Sequence, residues 1–196
     1  MRRAILGGLA GAAIFMTALP AGAETDLDAY SRASRAMIEE LAQDLQAELK
    51  AAIEASGPAA AITLCNGKAP EIVRRNAKDQ VWSIGRTSLK FRNPKNAPSP
   101  WEQTILQSFE ARRAAGEDPA TIDHAAIVMR DGKRVIQYMK AIPTAEICLN
   151  CHGGAEVSPE VAAKLAEFYP NDHARGFHVG DIRGAFTIVL PVEETR

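Results

Sequence analysis

Residues 124–142 read HAAIVMRDGKRVIQYMKAI. Two runs with apolar and β-branched residues, 124–130 and 134–142, flank the dipeptide Asp131-Gly132. This dipeptide is a strong hairpin signal because both of its positions readily adopt the positive φ of a tight turn. We therefore predict two antiparallel strands here, and a sheet in the fold.

The residues before this hairpin are patterned for helices. Ile38, Leu41 and Leu45 recur at steps of three and four residues, which predicts one long helix from Asp26 to Ser56 that ends at Gly57-Pro58. Further helices are predicted at 59–77 (kinked or restarted at Pro70), 101–115 and 158–168, further strands at 81–85 and 182–192, and a loop at 86–100.

The order of these elements predicts an α+β fold. Helices come early and antiparallel strands come late, which is typical of a small antiparallel sheet with helices packed on one side of it. The long N-terminal helix either packs on its own domain or supplies a homodimer interface, and the sequence leaves both alternatives open.

The first 23 residues are patterned as a secretory signal peptide. Arg2 and Arg3 begin a segment in which Ala4–Leu19 is uncharged and largely apolar, and the small residues Ala21-Gly22-Ala23 follow. The apolar run is shorter than the ~20 residues that a membrane-spanning helix needs. We expect cleavage after Ala23, a periplasmic location, and no membrane span after processing.

Composition limits the function of the remaining chain, residues 24–196. The formal net charge of −1 becomes −3 once Arg2 and Arg3 are removed, and charges of both signs are interspersed, so nucleic acid is not an expected partner. The length suits one domain with its own core. Paired carboxylates, an activated serine and a phosphate loop are not recognisable, so we do not expect an enzyme.

The segment Cys148-Leu149-Asn150-Cys151-His152 carries the most specific chemical signal. Two cysteines separated by two residues and followed by histidine form the attachment signature of a c-type haem. Two thioethers would tether the porphyrin edge, and the adjacent imidazole would become the proximal iron ligand. The motif therefore predicts one covalent haem c.

Two other functions use the same residue types. A CxxC pair also serves thiol–disulfide oxidoreductases, although His152 follows directly and no βαβ pattern surrounds the motif. A structural zinc site would need a fourth well-spaced ligand that the sequence does not offer. The third cysteine, Cys65, lies in an apolar helical stretch, where it is either a small buried hydrophobic residue or an iron ligand.

Several further segments resemble one family. They are RTSLKFRNP at 86–94, WE at 101–102, YMKAIP at 138–143 and GDIRGAF at 180–186. Together with the haem motif they resemble the exported monohaem c-type proteins catalogued as a domain of unknown function, typified by a cyanobacterial haem protein. The resemblance covers nearly the whole mature chain. It implies a PAS-like domain and iron held by histidine and cysteine, which places His152 and Cys65 as the two metal ligands.

Other ligand sets remain open at the level of the residues. Met129 and Met139 would give His/Met ligation, and His124, His173 or His178 would give His/His ligation. Met139 is also a candidate haem contact. The haem carboxylates need cationic partners, because buried carboxylates are costly when unpaired. The candidate cations are Arg86, Lys90, Arg92, Lys140 and Arg183.

The expected role is electron transfer, or redox or gas sensing. A cysteine thiolate ligand would favour ferric iron and a low reduction potential, and its release would open a position for a small gas. Either role requires a redox or signalling partner protein, which the sequence does not identify.

Overall fold

The computed structural model describes residues 21–77 and 82–192, except for the side chains of residues 21–26, Leu64 and Cys65. In chain order the elements are helix α1 (Ala21–Asn76), strand β1 (Ser83–Thr87), a 3-10 turn (Pro94–Asn96), α2 (Pro100–Ala114), β2 (Asp123–Arg130), β3 (Lys133–Pro143), α3 (Glu146–His152), α4 (Pro159–Phe168) and β4 (Ile182–Pro191). The predicted α+β class, with a long N-terminal helix, is confirmed.

The four strands form one antiparallel sheet in the order β1-β4-β3-β2. The predicted hairpin is its outer half: β2 pairs with β3 around Asp131-Gly132, where φ is 52° and 76°. These positive values are the turn conformation that the dipeptide favours. Strand β4, far along the chain, then inserts between β3 and β1.

Helix α1 reverses direction at Gly57. The φ of 78° at this residue lies in the region that glycine enters without strain. Arg75 Nη2 lies 2.8 Å from Asp44 Oδ2, although 31 helical residues would span about 46 Å in a straight helix. Residues 58–76 (the second arm) therefore fold back along residues 21–56 (the first arm). The predicted helix end at Gly57-Pro58 is confirmed, and the second arm continues through Pro70.

The helices cover both faces of the sheet. Tyr138 packs with Leu41 and Ile72 of α1, whereas its neighbour Met139 packs with Leu106 of α2. Successive residues of a strand face opposite sides of its sheet. Helices α1 and α2 therefore lie on opposite faces, and the prediction of helices on one side is wrong. An apolar helical stripe shows that a helix is packed, but not which face of the sheet it covers.

Local capping explains where two helices begin. Ser99 precedes α2, and its backbone N–H and hydroxyl both donate to Glu102, with N···O and O···O distances of 2.8 and 2.7 Å. Ser158 precedes α4 and accepts from the backbone N–H of Val161 at 3.3 Å. Both caps satisfy polar groups that a helix end leaves unpaired.

The predicted signal peptide lies outside the described residues, apart from the backbone of Ala21–Ala23 at the start of α1. Its cleavage stays a prediction. Over the ranges 21–77 and 82–192, no helix combines the length and the apolar character required to cross a bilayer.

Candidate functional site

The haem motif forms the short helix α3, which follows directly after β3. Cys148, Cys151 and His152 lie three and four residues apart on it, so they share one helix face. Both cysteines are half-buried and are not joined in a disulfide. The backbone N–H of Gly153 donates to the Leu149 carbonyl at 3.0 Å and closes the helix directly after the histidine.

The imidazole of His152 is hydrogen-bonded to a backbone carbonyl of the same chain. Its Nδ1 lies 2.9 Å from the carbonyl oxygen of Ala174. A carbonyl only accepts hydrogen bonds, so Nδ1 carries the proton, and Nε2 retains the lone pair that binds metals. The segment 174–177 is placed by the backbone N–H of Phe177, which donates to the His152 carbonyl at 3.0 Å.

The environment keeps this imidazole neutral. Burial lowers the pKa of His152 well below its ordinary value, and the positive charges of Arg183 and Arg92 lower it further, against the opposing hydrogen bond to Ala174. A neutral imidazole with a protonated Nδ1 is the form in which histidine ligates a metal through Nε2.

Arg183 also lies against this ring. Its Nε lies 3.2 Å from Nδ1 and 3.3 Å from Nε2 of His152, and Nε2 accepts this hydrogen bond because Nδ1–H donates to Ala174. Its Nη1 donates to Ser88 Oγ at 3.1 Å, and Ser88 Oγ donates to the Arg183 carbonyl at 2.8 Å. This close approach of β4 to the segment after β1 needs Gly184, because a Cβ there would collide with the Thr87 carbonyl.

Positive charge is concentrated at this ring. The pKa of Arg183 is lowered to about 10, chiefly by burial and then by the charges of Arg92 and Arg86, while Asp172 and Cys148 act in the opposite direction. A cation held in such a place favours an anionic partner. A ligand with carboxylate groups would satisfy this cluster.

Arg92 bridges three parts of the chain. Its Nη2 donates to the Cys151 carbonyl at 2.6 Å and to the Ala174 carbonyl at 3.2 Å, and its guanidinium forms a buried ion pair with Asp172 at 3.0 Å. The segment 86–92 is thereby joined to α3 and to the segment after α4.

Phe177 lines the same site. Its ring meets His152 edge-on at 6.1 Å between centroids, and Lys90 Nζ and Arg183 Cζ lie 5.0 and 5.3 Å from its centroid. Cations within about 6 Å of an aromatic face are attracted to it. The structure thus brings together three of the candidate cations, Lys90, Arg92 and Arg183, around His152, and Arg86 is close enough to act on Arg183.

Two other candidate cofactor residues lie elsewhere. Lys140 Nζ donates to the Ala120 carbonyl at 2.7 Å, at the hairpin side of the sheet. Met139 is fully buried between the sheet and α2, in the cluster that includes Phe109 and Ala185. The structure does not bring either side chain to His152, and their contact with a cofactor stays a prediction.

The rival histidine and methionine ligands are also placed apart. The side chain of His178 is 86% exposed beside Asp181, and Met129 is 66% exposed. His173 packs its ring against Phe91. His124 lies on β2, where burial lowers its pKa and the charge of Arg112 lowers it further.

Cys65 lies in the second arm of α1, one helical turn after Ala61 and Ile62, and its side chain is outside the described part. Ile62 is buried against Val161 and Leu165 of α4, and Cys151 packs against this same cluster. The helix turn that precedes Cys65 is therefore placed beside α3 by packing.

Sequence reasoning missed Ala174, Asp172 and Arg175. Arg175 donates to the carbonyls of Gly153 and Gly154, each at 3.3 Å. Ala174 acts through its backbone carbonyl, which any residue has, so no sequence signal marks it. Among the side chains that the structure describes, no group of three or more His, Cys, Asp or Glu residues is arranged to hold a metal ion.

Known proteins relate to this chain in two ways. A family model described as Tll0287-like matches residues 21–191. No curated protein matches. Among solved structures, the chain is similar to the crystal structure of the cyanobacterial heme-protein Tll0287, with 24% identity over 83% of this chain and 95% of that chain and a TM-score of 0.62. At this identity the structural likeness supports the fold, and the family match spans nearly all described residues. The chain belongs to the Tll0287-like family.

Proposed function

We propose that the chain is an exported, periplasmic c-type monohaem protein that acts in electron transfer or in redox or gas sensing, without catalytic turnover. Cys148 and Cys151 would form the thioethers, and His152 and Cys65 would be the axial ligands. The similar solved structure is described as a heme-protein, which supports a haem cofactor in this chain too.

One observation carries the proposal. The motif histidine is half-buried, neutral and hydrogen-bonded at Nδ1 to the Ala174 carbonyl, 2.9 Å away. A carbonyl partner on the remote ring nitrogen is the usual way in which proteins orient a metal-ligating histidine and fix its tautomer. The two cysteines of the same helix face are half-buried and are not joined in a disulfide, as thioether formation requires.

The charges around the ring fit the two carboxylates of haem. Lys90 and Arg183 both lie near the ring of Phe177, which itself contacts His152, and Arg86 acts on Arg183. Arg183 Nε lies 3.2 Å from Nδ1 and 3.3 Å from Nε2 of His152, so binding of a metal at Nε2 would break its hydrogen bond to that atom. A carboxylate is the partner that would accept it, since arginine binds planar anionic groups through paired hydrogen bonds.

Haem supplies, when bound, a one-electron couple and, if an axial ligand leaves, a coordination position for a small gas. The residues of the chain would tune this chemistry. An anionic Cys65 would favour the oxidised state and lower the reduction potential relative to His/Met ligation. The hydrogen bond from His152 to Ala174 would act in the same direction, because it raises the basicity of the ligand.

Covalent attachment is tested by expression in cells with working cytochrome maturation. We expect a Soret band that stays with the polypeptide after acid-acetone extraction, and a mass increased by one haem. The Cys148→Ser/Cys151→Ser double variant should lose both signals. A colourless wild-type protein at the mass of the bare polypeptide would refute the proposal, and a redox-active Cys148–Cys151 disulfide in that protein would favour the oxidoreductase alternative.

The second ligand is tested by EPR and electronic spectroscopy of the ferric protein. Wild type should give a low-spin thiolate-type signal that Cys65→Ser abolishes, while the haem stays covalently attached. An unchanged signal would assign the position to histidine or methionine, and the variants His124→Ala and Met139→Leu would then identify which.

Gas sensing can be distinguished from electron transfer or redox sensing in the ferrous protein. Binding of carbon monoxide or nitric oxide would favour gas sensing, and its absence at every pH would leave electron transfer or redox sensing. Either role involves a partner protein, and a homodimer through the first arm of α1 is one arrangement that sedimentation of the mature chain would detect.

A further inference from the structure

We propose that Arg92 is a positioning residue for the axial histidine: by donating to the Ala174 carbonyl it sets the strength of the hydrogen bond that the same carbonyl accepts from His152. This inference rests on the proposed function, in which His152 ligates iron. It assigns to Arg92 a role that requires no bond to the cofactor.

The guanidinium of Arg92 is directed into the protein. Its Nε donates to Asp172 Oδ2 at 3.1 Å, and its Nη2 donates to the carbonyls of Cys151 and Ala174 at 2.6 and 3.2 Å. The side chains of Arg92 and Asp172 are 12% and 10% exposed. Charge-assisted bonds at such burial are stronger and more specific than those of a surface pair.

The carbonyl of Ala174 is shared by two donors. It accepts from His152 Nδ1 at 2.9 Å and from Arg92 Nη2 at 3.2 Å. A carbonyl oxygen has two lone pairs and accommodates both donors. A cationic donor on one lone pair withdraws electron density from the oxygen, so the bond to His152 is weaker than it would be with Arg92 absent.

Asp172 also restrains the backbone of Ala174. The Asp172 carboxylate accepts the backbone N–H of Ala174 through Oδ1 at 2.8 Å, while its Oδ2 binds Arg92. The Arg92–Asp172 ion pair therefore contacts Ala174 twice. Asp172 accepts from its backbone N–H, and Arg92 donates to its carbonyl. The orientation of the imidazole follows from this arrangement, because Nδ1–H points at a carbonyl that cannot rotate freely.

Removal of Arg92 should strengthen the bond from His152 to Ala174. A stronger bond gives the imidazole more anionic character, which favours oxidised iron and lowers the reduction potential. Arg92→Lys separates this effect from loss of charge, since lysine keeps the positive charge but lacks the planar fork that reaches Asp172 and two carbonyls together.

The matched control is Arg175→Gln. Arg175 is another arginine beside the motif, its charge also lowers the pKa of His152, and it donates to the carbonyls of Gly153 and Gly154 instead of Ala174. The same substitution at this position removes a similar charge and leaves the shared carbonyl with both of its donors.

The experiment compares wild type with Arg92→Gln, Arg92→Lys and Arg175→Gln, each carrying haem. The primary measurement is the Nδ1–H proton resonance of His152 in the ferrous protein, with the midpoint potential as the second. We expect a downfield shift of this resonance and a lower potential in both Arg92 variants. In Arg175→Gln we expect any fall in potential to occur without that shift.

Three outcomes would overturn the inference. They are an unchanged resonance in the Arg92 variants, a potential that falls in Arg92→Gln but not in Arg92→Lys, or an equal downfield shift in Arg175→Gln. If the Arg92 variants do not fold, Asp172→Asn removes the carboxylate that holds the Arg92 guanidinium in place, so Arg92 should donate less to the Ala174 carbonyl and the resonance should shift downfield by a smaller amount. Absence of haem from the wild type would overturn the proposed function itself, which distinguishes the two failures.

Discussion

Two partly buried groups of polar side chains in the described part of the chain differ in how their charges are balanced. On the α1 face of the sheet, Asp123 accepts hydrogen bonds from Tyr138 and Arg35, both at 2.7 Å. Burial alone would raise the pKa of the Asp123 carboxyl, but the bonds from Arg35 and Tyr138 outweigh it and lower that pKa. One carboxylate, one guanidinium and one phenol satisfy each other.

The group around His152 is not balanced in this way. Arg183 is half-buried, and its pKa is lowered to about 10, first by desolvation and then by the charges of Arg92 and Arg86. Asp172 is already paired with Arg92. A buried polar group that is complete within the chain contributes to stability, whereas a surplus of one charge is costly until a partner of opposite charge arrives. This contrast separates a structural network from a binding site.

The first prediction breaks the balanced group. Asp123→Ala leaves the buried Tyr138 hydroxyl and the Arg35 guanidinium without their shared acceptor. The free energy of unfolding should therefore fall by about 2 kcal/mol. Urea unfolding of the haem-free chain measures this loss. The control is Asp44→Ala, which also removes an acceptor of two bonds, from Arg75 and Asn76, but at the exposed outside of α1. An equal loss in the two variants would contradict the role of burial.

The second prediction relieves the unbalanced group. Arg183→Met replaces a buried cation by an apolar side chain of similar volume, which should stabilise the haem-free chain by about 1 kcal/mol. In the haem-loaded protein the same change should accelerate loss of the native Soret spectrum in urea, because a partner of the carboxylates is gone. Arg35→Met, which removes an arginine from the balanced group, should destabilise both forms. Destabilisation of the haem-free chain by Arg183→Met would contradict an excess of positive charge around His152.

The third prediction concerns how the stability contributed by Asp123 depends on pH. The pKa of Asp123 is lower in the folded chain than in the unfolded chain, so its contribution is fully present above about pH 4, the unfolded value, and is lost as pH falls through the folded value. The difference in unfolding free energy between wild type and Asp123→Asn should therefore shrink steadily below about pH 4. Denaturant titrations between acidic and neutral pH measure it, and a pH-independent difference would count against a titrating carboxylate.

Much of the fold was predictable because its signals are local. The turn at Asp131-Gly132 and the helix end at Gly57-Pro58 each depend on the conformations open to one or two residues. Strand and helix bounds differ from the predicted ones by one or two residues at most of these elements. The placement of α2 on the opposite face from α1 was not predictable, because it depends on which face of β3 each helix reaches.

The candidate site also has a part that was predictable from the sequence and a part that was not. Cys148, Cys151 and His152 are recognisable from spacing alone, since the chemistry of attachment requires them within one helical turn. The basic residues at 86, 90, 92, 140 and 183 were identified as candidate partners of carboxylates by their charge. Their actual contacts differ among them: Arg92 binds the backbone around the histidine, Lys90 and Arg183 lie at Phe177, and Lys140 lies elsewhere.

The amino-acid sequence by itself determined the α+β class, the end of the first arm of α1 at Gly57-Pro58 and the motif at residues 148–152, because each follows from interactions between residues close together in the chain. Only the tertiary structure decided what surrounds His152. Its partners Ala174 and Arg183 follow it by 22 and 31 residues, and Arg92 precedes Cys151 by 59. Contacts over such separations depend on the order of strands in the sheet and on backbone carbonyls that every residue carries, and neither leaves a pattern in the sequence.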